Sequence, residues 1–143
     1  MTMHVERFRI GFQDTDSTAR VYFTSYVRWF DIAFIEYLRR NNVVFDSVGG
    51  LVQNGERLDK TLVIGEYGCR IMKPSKYDDL VEVHVNIRET TNKVVTVDFV
   101  LKDAGDGEEL ASGWIKYVCV SLENKRSAEF PKMLKEMFER GRR

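Results

Sequence analysis

A polar loop and a predicted helix meet within residues 12–38, FQDTDSTARVYFTSYVRWFDIAFIEYL, and this junction is the strongest indication of the fold. Gln13–Thr18 is the loop, and it carries Asp14 and Asp16 on either side of one threonine. Over residues 23–40 the apolar positions take helical spacing. These positions are Tyr26, Phe30, Ala33, Phe34, Tyr37 and Leu38. We predict a long helix here, capped by Thr24 or Ser25, whose aromatic face needs a sheet to cover it.

The rest of the chain reads mainly as strands, because apolar and polar residues alternate. The first strand is predicted over residues 4–12, and four more follow the helix. They are predicted at Thr61–Lys73, Val81–Arg88, Val95–Lys102 and Leu110–Leu122, with hairpin turns at 91–92 and 104–107. Val43–Val48 is predicted to form a short turn, and Pro131 to start a C-terminal helix. Helix and antiparallel strands segregated in this way predict an α+β fold.

Composition narrows the class of protein. The 143 residues fit one domain, residues 1–143, and 43% are hydrophobic, which is enough for a core. The 22 basic and 22 acidic side chains leave no net charge, which argues against a nucleic-acid or membrane-surface binder. Residues 1–9 lack the apolar segment of a signal peptide, and no apolar run reaches the length of a membrane span. We therefore expect a cytoplasmic protein.

Cysteine and histidine usage predicts neither a structural disulfide nor a metal site. Cys69 and Cys119 both lie in apolar, strand-like segments without a paired spacing, so two reduced, buried thiols are expected. His4 and His84 fall on polar strand faces and lack the spacing of metal ligands. No cofactor is predicted.

The loop before the helix is the first candidate for chemistry. On spacing alone, Asp14 and Asp16 are more often plain loop carboxylates near the positive end of a helix. A functional interpretation needs two components. A carboxylate can attack a carbonyl or activate water, and the free N–H groups of a helix start can stabilise an oxyanion. The sequence supplies both within a short distance.

The same stretch resembles the signature of the hotdog-fold thioesterases related to 4-hydroxybenzoyl-CoA thioesterase and to the acyl-CoA thioesterase of the bacterial Tol-Pal cluster. That signature is D-x-D-x-x-G, a hydrophobic residue, V-[YW]-[HY]-x-[NS]-Y and then an aromatic helix. The matching residues are Asp14, Asp16, Val21, Tyr22, Ser25, Tyr26, Trp29, Phe30, Asp31 and Ala33. Arg70–Asp79, Val118–Val120 and Arg126–Pro131 are similar to later segments of the family, so the resemblance covers nearly the whole chain in order.

The resemblance implies a hotdog fold, in which a curved antiparallel sheet of about five strands wraps a long central helix. It implies assembly as a dimer or a dimer of dimers, and hydrolysis of a small or medium acyl-CoA. Asp16 is then the nucleophile or general base. The backbone N–H near Phe23 polarises the thioester carbonyl.

The resemblance also implies where the substrate binds. Tyr22 and Tyr26 belong to the matching helix start and are expected to contact it. The CoA moiety of the family lies across a subunit interface beside basic residues, for which the candidates here are Lys73, Lys76, Lys125 and Arg126. An ordinary solvated charge is the alternative interpretation of each of these four.

Three positions depart from the signature. Ala19 stands where the family has glycine, which bears on the turn. Arg20 replaces a small apolar residue, and it can pair with Asp14 or Asp16 and lower that carboxylate's pKa, or contact an anionic acyl group or phosphate. Phe23 replaces histidine or tyrosine and favours an apolar acyl pocket.

Asp31 is the remaining carboxylate of the matching helix. We expect it to be a surface or interface acid paired with Arg28 or a basic partner, with catalysis as the lesser alternative. Two other functions stay open. One is a non-catalytic acyl-CoA binding or sensing protein, and the other is a hotdog hydratase or dehydratase. The latter needs a histidine paired with an acid, and neither histidine of this chain lies in a similar motif.

Overall fold

A long helix lies against one face of a five-stranded antiparallel sheet in the computed structural model, which describes residues 3–142. The elements are β1 (His4–Arg9), a 3-10 turn (Phe12–Asp14), α1 (Phe23–Arg40), β2 (Val43–Phe45), β3 (Leu51–Gln53), β4 (Glu56–Arg57), β5 (Lys60–Ile71), β6 (Leu80–Thr90), β7 (Val94–Asp103), β8 (Glu109–Ser121) and α2 (Lys132–Gly141). The large sheet has the order β1-β6-β7-β8-β5. The predicted α+β class is therefore confirmed.

The aromatic face of α1 covers the sheet, as its spacing predicts. Phe30 stacks on Phe99 of β7 with ring centroids 4.9 Å apart, and Phe34 stacks on Tyr117 of β8 at 4.2 Å. Both phenylalanines of the helix are fully buried. Each such side chain contributes about 1.5–3 kcal/mol by leaving water, so this contact fixes the position of α1.

Gly113 of β8 permits the close approach of helix and sheet. A Cβ atom at this position would lie 2.5 Å from the carbonyl oxygen of Gly68 and 2.6 Å from the Phe30 ring. Neither neighbour has room to move, because one is backbone and the other is locked in the core. The glycine thus sets how closely the middle of α1, at Phe30, packs on the sheet.

The structure departs from the predicted elements in two places. The first strand ends at Arg9 and not at residue 12, and the predicted turn at Val43–Val48 begins with strand β2. Strands β2, β3 and β4 pair as a second, three-stranded sheet that the sequence did not indicate. These strands have three, three and two residues, which is too short to show an alternation.

Cys69 corrects a second expectation. It is exposed, whereas Cys119 is buried, so the prediction of two buried thiols is wrong for Cys69. The reason is that Cys69 lies in β5, an edge strand of the large sheet.

Neither helix within residues 3–142 is both long and apolar enough to cross a membrane. The prediction of one domain over residues 1–143 includes residues 1, 2 and 143, which lie outside the described residues. That prediction stays a prediction.

Candidate active site

The two aspartates of the loop differ sharply in their surroundings. Asp14 is buried, and its carboxylate accepts hydrogen bonds from the guanidinium of Arg28 and from the N–H of Gly11, the latter at 3.0 Å. Its backbone oxygen accepts bonds from the Ser25 hydroxyl at 3.1 Å and from the Tyr22 N–H at 2.9 Å. Asp14 therefore ties the loop to the first turn of α1 and is not free to react.

Asp16, in contrast, is exposed and sits at the start of a tight turn. The N–H of Ala19 donates to the Asp16 carbonyl at 3.0 Å, and the Asp16 N–H donates to the Arg20 carbonyl at 2.9 Å. Ala19 has a φ of +62°, the left-handed conformation that favours glycine. The signature glycine is thus replaced here by an alanine that adopts the same turn under strain.

The carboxylate of Asp16 is held in its ionised form. Its Oδ1 atom accepts bonds from the Thr18 hydroxyl at 2.6 Å and from the Thr18 N–H at 2.8 Å. These two bonds, with smaller contributions from Arg20, lower the pKa of Asp16 below its ordinary value against a smaller opposing effect of burial. Among residues 3–142, no cation lies within ion-pair distance of Asp16. It is therefore an anion that is not neutralised by Arg20.

Helix α1 starts beside this carboxylate without a side-chain cap. The residue before the helix is Tyr22, which makes no capping hydrogen bond. The prediction that Thr24 or Ser25 caps the helix is wrong, because Ser25 donates its hydroxyl to Asp14. Within the described residues, the N–H groups of Phe23 and Thr24 have no acceptor. The positive end of the helix is left available for an external oxygen atom.

One cavity of about 370 Å³ joins these groups. Its wall comes from the Asp16 loop, the first turn of α1 and the chain that follows β5. The lining residues are Asp16, Arg20, Val21, Phe23, Tyr26, Ile71, Met72, Lys73 and Pro74. Five of the residues predicted for the site from the sequence, namely Asp16, Phe23, Arg20, Tyr26 and Lys73, meet here. The loop is held in place by hydrogen bonds from the Val21 N–H to the Ser75 carbonyl at 2.8 Å and from the Tyr77 N–H to the Ala19 carbonyl at 3.0 Å.

The aromatic residues at the helix start divide between cavity and surface. Phe23 lines the cavity and is 63% exposed. Tyr22 is half-exposed, with its ring 4.7 Å from that of Phe23. Tyr22 does not line the cavity. Tyr26 does, and burial raises the pKa of its phenol, which therefore stays protonated.

The basic residues predicted to bind CoA are scattered. Lys73 lines the cavity and pairs with Glu108, a contact that raises the pKa of the lysine. Lys76 does not line the cavity but lies opposite Arg20, which does, in an isolated antiparallel bridge. Lys125 and Arg126 are elsewhere, in the turn after β8. That turn adjoins the first residue of β5, whereas the cavity adjoins its last.

Asp31 has a different partner from the one expected. Its carboxylate accepts a hydrogen bond from the Tyr117 hydroxyl at 2.8 Å, and Arg28 pairs with Asp14 instead. The predicted Arg28–Asp31 pair is therefore wrong. Burial is the main cause that raises the pKa of Tyr117 far above its ordinary value.

Sequence reasoning missed the wall that β5 supplies. Ile71, Met72 and Pro74 line the cavity opposite Asp16, yet more than fifty positions separate them from it in the chain. The similarity of Arg70–Asp79 to a family segment was the one signal that pointed to this region. It gave no reason to bring the segment to the Asp16 loop.

A larger cavity of about 540 Å³ lies over β5, β7 and β8, among residues such as Arg88, Asp98 and Trp114. Arg88 forms a bidentate ion pair with Asp98 there, with bonds of 2.6 to 3.1 Å. The charged pair is thus mutually satisfied. We therefore base the candidate site on the Asp16 cavity, which holds an unpaired carboxylate and unpaired helix amides.

Comparison with known proteins shows the family of this chain. The family model described as the thioesterase-like superfamily matches residues 10–138 of this chain. The chain belongs to the thioesterase-like superfamily. The match includes the Asp16 loop, all of α1 and the segment that follows β5.

Several relatives of this thioesterase-like chain are described by activity. The acyl-CoA thioesterase YbgC of Haemophilus influenzae is 27% identical over 130 residues, which cover 91% of this chain and 90% of that protein. A 1,4-dihydroxy-2-naphthoyl-CoA thioesterase from Synechocystis has a similar structure, with a TM-score of 0.82 at 19% identity over 94% of each chain. A gentisyl-coenzyme A thioesterase gives a TM-score of 0.77 at 23% identity, over 94% of this chain and 98% of the other. The structural likeness confirms the expected hotdog fold.

Proposed function

We propose that this protein hydrolyses acyl-CoA thioesters, with Asp16 as nucleophile or general base. One observation carries the proposal: a single cavity is lined both by Asp16, whose carboxylate forms no ion pair, and by Phe23, the first residue of α1, whose N–H has no acceptor among residues 3–142. A thioester carbonyl placed between them meets a base on one side and donors on the other. The similarity to YbgC and to two CoA thioesterases supports the same chemistry.

Each group has a distinct part in the reaction. Asp16 attacks the carbonyl carbon to give an acyl-enzyme anhydride, or takes a proton from a water molecule that attacks. The N–H of Phe23 holds the oxyanion of the tetrahedral intermediate. Collapse of that intermediate expels CoA as the thiolate and leaves the free acid, directly or after water cleaves the anhydride. The low pKa of Asp16 keeps the reacting form present at neutral pH.

The cavity favours a small or medium acyl group. Its volume of about 370 Å³ lies near the lower end of the range for ligand pockets. Val21, Ile71 and Met72 give it apolar walls. Neither His4 nor His84 lines it, which disfavours a hydratase that needs a histidine beside the substrate.

We also propose that two copies pair through β5. This strand has twelve residues, and within residues 3–142 no strand pairs with its outer edge. Val63, Tyr67 and Ile71 leave large apolar surfaces exposed along it. A long uncovered edge of this kind invites pairing with another strand, and a two-fold axis makes such pairing antiparallel.

The pairing gives a role to Lys125 and Arg126. These residues lie near the start of β5, roughly 36 Å along the strand from Ile71 at about 3.3 Å per residue. In an antiparallel pair, the start of one β5 lies beside the end of the other. Lys125 and Arg126 are then close to the partner's cavity, where they can bind the nucleotide end of CoA.

Thiol release from a panel of acyl-CoAs tests the function. Asp16→Asn is expected to lower kcat by about 10²–10⁴-fold, the usual contribution of a positioned base. The matched control is Glu56→Gln, which neutralises an exposed carboxylate on the small sheet. The proposal fails if wild type releases no thiol, or if Asp16→Asn retains full turnover.

Sedimentation of the full chain tests the assembly. Tyr67→Asp places a charge on the exposed middle of β5, and it is expected to give monomers that fold but turn over slowly. Val48→Asp charges an exposed residue of the turn after β2 and should leave the dimer intact. A monomeric wild type would refute β5 pairing.

A further inference from the structure

Arg20 and Lys76 are two cations that lie opposite each other, and among residues 3–142 neither forms an ion pair. An isolated antiparallel bridge places the two residues opposite each other. Side chains in such a pair project to the same face with Cβ atoms about 4.5–5.5 Å apart, and like charges there destabilise the pairing. Both cations are nevertheless present, although the backbone bridge requires neither side chain.

Two neighbouring cations, unlike Arg20 and Lys76, form ion pairs. Lys73 pairs with Glu108, and Arg28 pairs with Asp14. Among residues 3–142, no carboxylate lies within ion-pair distance of Arg20 or Lys76. Asp79, three residues after Lys76, accepts a bond from the backbone N–H of Lys76 at 3.1 Å and not from its ammonium group.

We propose that Arg20, assisted by Lys76, selects acyl groups that carry a carboxylate of their own, such as the monothioesters of dicarboxylic acids. The inference rests on the proposed thioester hydrolysis and specifies its substrate class. Arg20 lines the same cavity as Asp16 and Phe23, between which the thioester carbonyl is proposed to bind. The phosphates of CoA are removed from that carbonyl by the full pantetheine arm. The acyl group is therefore the nearer source of an anion.

Arg20 also solves an electrostatic problem that such a substrate creates. The Asp16 carboxylate repels a second carboxylate brought into the same small cavity. A guanidinium beside Asp16 offsets that repulsion, and its planar fork matches a carboxylate with two parallel bonds. Lys76, on the same face, adds a second positive charge. An apolar residue at position 20 would leave the repulsion in full.

Adipoyl-CoA and its terminal monoamide test the proposal, because they differ only in the charge of the distal group. Wild type is expected to favour the acid over the amide by about tenfold in kcat/KM, the effect of one hydrogen-bonded charge. Arg20→Met is expected to abolish this preference, because it lowers kcat/KM for the acid about tenfold more than for the amide. Arg20→Lys should keep most of the preference. Arg57→Met, at an exposed arginine on the small sheet, should change neither rate.

Two further arms separate the possible outcomes. The same acid–amide comparison with pantetheine thioesters removes the phosphates of CoA, and the preference should persist there. Loss of the preference in pantetheine thioesters, or an equal loss of both rates in Arg20→Met, would assign Arg20 to a CoA phosphate and overturn the proposal. If wild type hydrolyses no thioester, the proposal can still be tested by comparing the affinities of two CoA thioethers, one ending in a carboxylate and the other in an amide. Thioethers are suitable because their binding does not depend on hydrolysis. Equal affinities for the two thioethers would overturn it, and tighter binding of the carboxylate would support it.

Discussion

Replacing Asp14 by alanine should unfold the protein more easily, even though Asp14 belongs to the same D-x-D motif as the proposed catalytic residue. The substitution removes the charge-assisted bond from Arg28, worth about 1.5–3 kcal/mol, and leaves the Gly11 N–H without its acceptor. Breaking a buried ion pair costs about 3–5 kcal/mol. The Arg28 side chain is 53% exposed and can hydrate once its partner is lost. We therefore expect a loss of about 3 kcal/mol in the free energy of unfolding.

Urea denaturation of matched variants measures this loss. Asp14→Asn keeps one oxygen, which can accept from Gly11 or from Arg28 but not from both, because the two bonds end on different carboxylate oxygens. It should therefore lose about 2 kcal/mol, less than Asp14→Ala. Asp16→Asn should leave the denaturation midpoint unchanged, because Asp16 is exposed and an asparagine oxygen can still accept the bonds from Thr18. If Asp14→Ala unfolds within about 0.5 kcal/mol of wild type, as an ordinary surface substitution does, the anchoring role of Asp14 is refuted.

Three other substitutions test separate features of the fold and site. Thr18→Val removes the hydroxyl that contributes most to the low pKa of Asp16. The pKa then rises, and the acid limb of the kcat/KM profile moves to higher pH; an unmoved limb would show that Asp16 does not control it. Ala19→Gly relieves the positive φ and should add about 1 kcal/mol of stability, seen as a melting temperature about 4 °C higher, whereas a lower melting temperature would contradict the strain. Gly113→Ala forces a Cβ against Gly68 and Phe30 and should lower the free energy of unfolding by about 3 kcal/mol. Ser112→Ala, on the opposite face of β8, is the control, and equal stability of the two variants would contradict the close contact.

The sequence predicts those helices and strands whose apolar pattern continues over many residues. The bounds expected for the central helix, residues 23–40, coincide with those of α1 because its aromatic spacing runs unbroken over five turns. In β6 the predicted alternation is confirmed, since Val81, Val83 and Val85 are fully buried, although the strand runs from Leu80 to Thr90 and so extends beyond the predicted bounds. The small sheet escaped prediction because its strands are too short to alternate.

The candidate site was less accessible to sequence reasoning, because it depends on contacts between distant segments. The family resemblance pointed to Asp16 and the helix start. It did not reveal that Arg28 pairs with Asp14 and not with Asp31, since a guanidinium on a helix can reach acids on either side. The alternation of apolar and polar residues in β5 also does not predict that Ile71 lies near the Asp16 loop. That contact follows from the pairing of β5 with β8 and from the way the chain after β5 returns beside the loop.

Two local rules are broken on either side of the cavity. A side-chain cap on a helix contributes about 1 kcal/mol, yet α1 has none although Thr24 and Ser25 lie in its first turn. An alanine at positive φ costs about 1–2 kcal/mol, yet Ala19 holds the turn after Asp16. Conflicts with local preference concentrate where function sets the geometry. The missing cap leaves the N–H groups of Phe23 and Thr24 free to donate to an oxyanion. The strained turn holds Asp16, the carboxylate whose attack, or whose activation of water, would form that oxyanion.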